Sequence, residues 1–203
     1  MSSLLTFLMI VIFLACVGMC YPDGLWSNAL RLINVMTSAL LAMNFFEPLA
    51  SWMEIQAKSY TYLWDFISLW AIFAVSMLVL RILTDQLSRV KVKFLKIADR
   101  VGSGILAVWI GWIMVMFTMT TLHTAPLAKN FLFDGFQPEQ KMFLGLAPDR
   151  CWLGFTQMMS TGAFSCTPES AFDPNSDYMP KYQQRRKNLE EHIKTSQSLL
   201  VGG

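Results

Sequence analysis

Four apolar runs, at about residues 4–21, 25–46, 63–83 and 101–122, alternate with short polar stretches along this chain. A helix needs about 20 apolar residues to cross the hydrocarbon core, so the pattern predicts four transmembrane helices. The third run holds Asp65 near its start and Arg81 near its end; the fourth carries no charge. The second is interrupted by Arg31 and by several Asn, Ser and Thr. A buried or re-entrant helix, its polar residues facing protein, stays open for it. The YPDG between the first two runs is turn chemistry: Pro fixes φ and Gly accepts a positive φ. So short a link predicts an antiparallel hairpin. A cleaved signal is the competing view of the first run. Against it stand the missing basic n-region and the poor small-residue contexts before Cys16 and Cys20.

The stretches between runs carry their own patterns. FFEPLASWMEIQAKSY (45–60) sets Leu49, Trp52, Met53 and Ile55 among Glu and Lys. That predicts a separate interfacial helix over about 47–57, starting near Glu47-Pro48. Tyr60, Tyr62 and Trp64 then form an aromatic belt at the next span. RILTDQLSRVKVKFLKIADR (81–100) holds six of the 16 basic residues. Val90, Val92 and Phe94 alternate with Arg89, Lys91 and Lys93 as a strand would. Leu83, Leu87, Val90, Phe94, Ile97 and Val101 keep helical spacing for longer, which predicts a basic amphipathic helix over about 84–99.

Lys and Arg collect on cytoplasmic loops, so this stretch is expected in the cytoplasm. Alternation then puts the YPDG turn beside it and places residues 45–60 and both termini outside. Arg81, Arg89, Lys91, Lys93, Lys96 and Arg100 form a cluster expected to meet anionic lipid head groups.

From His123 the character changes, and residues 126–203 are read as an extracytoplasmic tail with short helices at about 149–160 and 180–195. Asp149 is expected to cap the first and Gly162 to end it. The second has Tyr182, Arg186, Leu189 and Ile193 on one face, and its charges read as a solvated face needing no partner. Cys151 and Cys166 close a loop suited to a disulfide in an oxidising compartment, with two free thiols as the alternative. Cys16 and Cys20 are expected to pack as small hydrophobes.

Composition agrees with the pattern. The chain is 54% hydrophobic and 15% charged, against about 25% charged in soluble domains. The formal charge of +2 is too small to suggest a nucleic-acid partner. Chemistry is sparse. His123 and His192 lack ligands at zinc spacing, and no phosphate-loop, dinucleotide, HExxH or GxSxG motif occurs. No catalytic residue, metal or cofactor is therefore expected, and the chain is read as non-enzymatic.

The intramembrane polar residues Asn34, Thr37, Ser38 and Ser76 form a candidate seam. Their ordinary use is helix–helix hydrogen bonding, about 0.6 kcal/mol each. The sharper reading is the water-filled path of a small oligomeric ion or solute channel. No pair of broken helices points to a secondary transporter. Gly18, Gly102, Gly104 and Gly111 are expected to let the first and fourth helices pack closely.

One family shares this order of elements. Gly18 and Gly24 flank the first turn, and RILTDQLSRV…KIADRVGSGILAVWIG follows, with Asp99, Arg100, Gly104 and Gly111. Over roughly residues 1–125 the chain resembles the colicin V production protein (CvpA) family of bacterial inner-membrane proteins. It departs from the family in its short YPDGLWSNALR linker and in the seven-residue spacing of Gly104 and Gly111. The resemblance implies an all-α, multi-pass, non-catalytic protein that supports production or secretion of a bacteriocin-like toxin and envelope function. Its expected partners are anionic lipid and either further copies or another membrane protein.

Overall fold

The computed structural model describes residues 3–56, 63–88, 95–126, 143, 145–162 and 172–201. The described residues form α1 (Ser3–Cys20), a single 3-10 turn (Tyr21–Asp23), α2 (Leu25–Gln56), α3 (Trp64–Leu87), α4 (Lys96–Thr124), α5 (Pro148–Thr161) and α6 (Tyr178–Val201). The fold is all-helical, and four of the helices are long and apolar enough to cross a membrane. α2 packs on α3 and α4, and α1 packs on α4.

The core runs through the bundle and on into the tail. Val35, Ala39, Met43 and Phe46 of α2 meet Leu69 and Phe73 of α3 and Ala107, Ile113 and Phe117 of α4. Ala39, Ala42 and Ala107 are fully buried. Small side chains let backbones approach where lipid supplies no hydrophobic drive and van der Waals packing must hold helices together. Leu5 and Met9 of α1 lock onto Val115 and Met119 of α4 in a second cluster. Outward, α1 shows Phe7, Val11 and Leu14, and α3 shows Val75, Leu78 and Ile82. Those faces suit acyl chains.

Three expectations need correcting. No separate helix starts near residue 47, because α2 runs unbroken to Gln56 with Pro48 inside it. Pro48 removes the donor to the Asn44 carbonyl, which costs about 3 kcal/mol in a helix interior. Met43, Phe46 and Ala50 are all buried across that point, and their packing holds the helix together. Nor does one helix span 84–99. α3 stops at Leu87, Ser88 leaves helical geometry at ψ 60°, and Leu95 is extended at ψ 135° before α4 starts. Arg89, Lys91 and Lys93 lie outside the described residues. Ser88 turns its N–H back to Thr84 O, which closes the last turn of α3 and ends the helix there.

The third correction concerns the charged face of α6, which the ion pairs described below engage. α5 and α6 occupy the stretches read as short helices, α6 running longer, and both pack on the bundle. Trp152 meets Phe117 edge-on at 6.1 Å, and Tyr178 meets Phe46 at 6.4 Å.

Candidate functional site

Polar side chains gather at the two ends of the bundle. At the turn end, Gly24 takes φ +85° and ψ 165°, a conformation essentially reserved for glycine. It thereby frees the start of α2, whose first donor, Leu25 N–H, bonds Asp99 Oδ1 at 2.9 Å. Asp99 sits 74 residues along the chain and caps α2. Its carboxylate also complements the positive helix end. A Cβ on Gly24 would come 3.3 Å from Asp99 Oδ2, so glycine is required there twice.

Asn28, one turn in, is fully buried. Its Nδ2 donates to Cys20 O at 2.8 Å and to Ser103 Oγ at 3.0 Å. Ser103 Oγ in turn donates to Tyr21 O at 2.7 Å. The carbonyls opened where α1 ends are thus satisfied by α2 and α4, as a backbone without water demands. Arg31 pairs with Asp23 at 2.6 Å, and Trp26 Nε1 reaches Ser88 Oγ at 2.7 Å. A cleft of about 210 Å³ lies between α2 and α3, lined by Arg31, Asn34, Arg81 and Thr84 among others.

Two of the four residues of the candidate seam make contacts between helices. Asn34 Nδ2 donates to Thr84 Oγ1 at 3.0 Å, and Ser38 Oγ faces Met77 Sδ at 4.0 Å. Thr37 and Ser76 are half-buried. Among the four glycines, Gly111 is pressed on Phe13 O at 3.2 Å from where a Cβ would stand. Gly102 sits under Leu25 and Gly104 beside the Tyr21 ring. Gly18 does not serve close packing: a Cβ there meets nothing within 4 Å, because it lies on the outer side of α1. Lys96, Arg81 and Arg100 are exposed.

At the far end the tail is fastened by hydrogen bonds and ion pairs. His123 Nε2 lies 3.0 Å from Asp149 Oδ2, with both side chains at most 2% exposed. Arg186 donates to His123 O at 3.2 Å, and Tyr178 OH to Thr120 O at 3.4 Å. Arg185 pairs with Asp65, and Lys181 with Glu47 at 2.6 Å. The charges of α6 therefore have partners, contrary to the solvated face read from sequence. The reason is that Asp65 is buried at the start of α3, where a carboxylate needs a cation, and Glu47 follows the apolar run of α2 within reach of Lys181. Burial pushes the Tyr178 and Tyr182 phenols well above their ordinary range and draws Arg186 down. Both tyrosines stay neutral, and Tyr178 donates to Thr120 O.

The buried His123–Asp149 contact joins α4 to α5. Among the described residues no group of three or more His, Cys, Asp or Glu could hold a metal. Cys151 is an exposed free thiol, and Cys166 lies outside the described residues.

The family whose description is "Colicin V production protein" matches residues 5–137. The chain belongs to the colicin V production protein family. No curated protein and no solved structure matches it. The match takes in all four membrane helices and every residue of the turn-end knot. The far end is mixed in this colicin V production family member: Glu47, Asp65 and His123 fall inside the match, and their partners Lys181, Arg185 and Asp149 fall beyond it. Two of the residues that carried the resemblance, Gly24 and Asp99, meet in space. Sequence reasoning missed Asn28. The signal was available: an Asn four residues after a turn glycine, inside an apolar run.

Proposed function

We propose that this protein is a non-catalytic accessory of the bacterial inner membrane that supports production or secretion of a bacteriocin-like product by holding other membrane components in place. The observation that carries this is the family match over the four-helix membrane domain. The hydrogen-bonded use of Asn28, Asn34 and Ser103 supports a fixed platform over a wet pore. Residues 23–31 and 81–100 carry seven of the 16 basic residues and three of the 14 acidic ones. That imbalance in the sequence supports a cytoplasmic turn end, with the tail and both termini outside.

The test is deletion of the gene in a bacteriocin-producing strain, with product assayed in medium and in cells. Less product in the medium, restored by the wild-type gene, is expected; unchanged secretion overturns the reading. The purified chain in planar bilayers should be electrically silent. Conductance that changes with Asn34→Ala or Thr37→Ala would put a channel in its place.

A further inference from the structure

We propose that α4 carries a discrete site for one anionic glycerophospholipid on its outer face at the turn end. A groove of about 530 Å³ opens there toward the surrounding membrane. Val101, Ile105, Val108 and Trp109 form its walls, and each is roughly half exposed. Gly104 leaves the notch between them, with only the Tyr21 ring near where a side chain would start. Lys96, Arg100, Gly104 and Val108 follow one another at four-residue spacing, so they share one ridge of the helix. Two cations therefore stand directly above an apolar trough.

Depth fits the same ligand. Arg100 to Trp109 spans about 14 Å along the axis at 1.5 Å per residue, roughly one leaflet of an about 30 Å core. An acyl chain lying in the trough brings its phosphate to Arg100 and Lys96. Both cations are exposed and neither makes an ion pair among the described residues. Asp99 between them is spent on Leu25 N–H. With Asp99 offsetting one of the two charges, the net positive charge that remains selects a lipid of net negative charge over a zwitterionic one. A second copy is the poorer occupant: a two-fold axis normal to the membrane sets Lys96 and Arg100 against their own images.

The site rests only on α4 lying in the bilayer, so its failure and that of the secretion reading are separable. The experiment uses the full chain in phosphatidylcholine vesicles with a minor share of phosphatidylglycerol. One lipid or the other carries brominated acyl chains, and the signal of Trp109 is isolated by subtracting Trp109→Phe. Brominated phosphatidylglycerol should quench Trp109 beyond its bulk share, and that preference should fall about five-fold for each cation lost in Lys96→Gln and Arg100→Gln. Gly104→Leu fills the notch and should bring quenching to the bulk level with helix content unchanged by circular dichroism. Equal quenching by the two lipids overturns the proposal. So does a Trp109 shielded from both, the signature of a protein-covered groove, or a preference that survives Gly104→Leu.

Discussion

Removing the Asp99 carboxylate should loosen the bundle at the turn without unfolding the spans. Asp99 Oδ1 accepts from Leu25 N–H at 2.9 Å in a part-buried place. Loss of such a cap costs about 0.5–2 kcal/mol, and loss of the charge at a positive helix end about 0.3–1 kcal/mol more. Asp99→Ala should therefore cost about 1–3 kcal/mol. Asp99→Asn keeps the acceptor and should lose only the smaller part. Gly24→Ala forces a non-glycine residue to φ +85°, at about 1–3 kcal/mol, and adds a contact to Asp99 at 3.3 Å. In the Asp99→Ala background that contact is gone, so Gly24→Ala should cost less there than alone. The assay is unfolding in mixed detergent micelles with rising sodium dodecyl sulfate, followed by circular dichroism. An Asp99→Ala loss below about 0.3 kcal/mol refutes the cap, being under the smallest value for either effect. Strict additivity in the double mutant refutes the contact.

Other outcomes follow from the same geometry. Gly111→Ala should destabilise by about 1–3 kcal/mol, because the Phe13 backbone cannot swing away. Gly18→Ala should be neutral or stabilising by up to about 1 kcal/mol, and both are read by the same titration. Arg185→Ala leaves Asp65, 8% exposed, without its cation and should cost about 2 kcal/mol. Lys181→Ala breaks an exposed pair and should cost at most about 1 kcal/mol; trypsin release of the tail separates the two. The tyrosines give a pH dependence. Their folded-state affinity for the proton is raised by burial, so the unfolded tail releases protons first. Docking should hold below about pH 10 and weaken as pH rises above it. Tyr182→Phe should flatten that loss, and tail proteolysis against pH measures it.

The spans were legible because length and apolarity alone decide whether a helix crosses a bilayer. The end of α2 was not. Pro48 carries the local mark of a helix start, but Met43, Phe46 and Ala50 keep helical spacing across it, and the core they enter outweighs one lost hydrogen bond. Asp99 and Gly24 were singled out as letters of a pattern. Their joint role depends on a contact between residues 74 positions apart in the case of Leu25 and Asp99, which no periodicity encodes. The face of α6 looked solvated because charge on a helix is read along one element only. Its partners lie on other helices, and the clue was two carboxylates bordering apolar runs, Glu47 and Asp65.

The most direct measurement is labelling of Cys151 by a membrane-impermeant thiol reagent in intact cells carrying Cys166→Ser. Cys151 is exposed and lies three residues past the start of α5. The account predicts labelling without permeabilisation, and labelling of an introduced Lys93→Cys only after it. A Cys151 that reacts only in permeabilised cells, with Lys93→Cys reactive in intact ones, would invert the orientation and contradict the account.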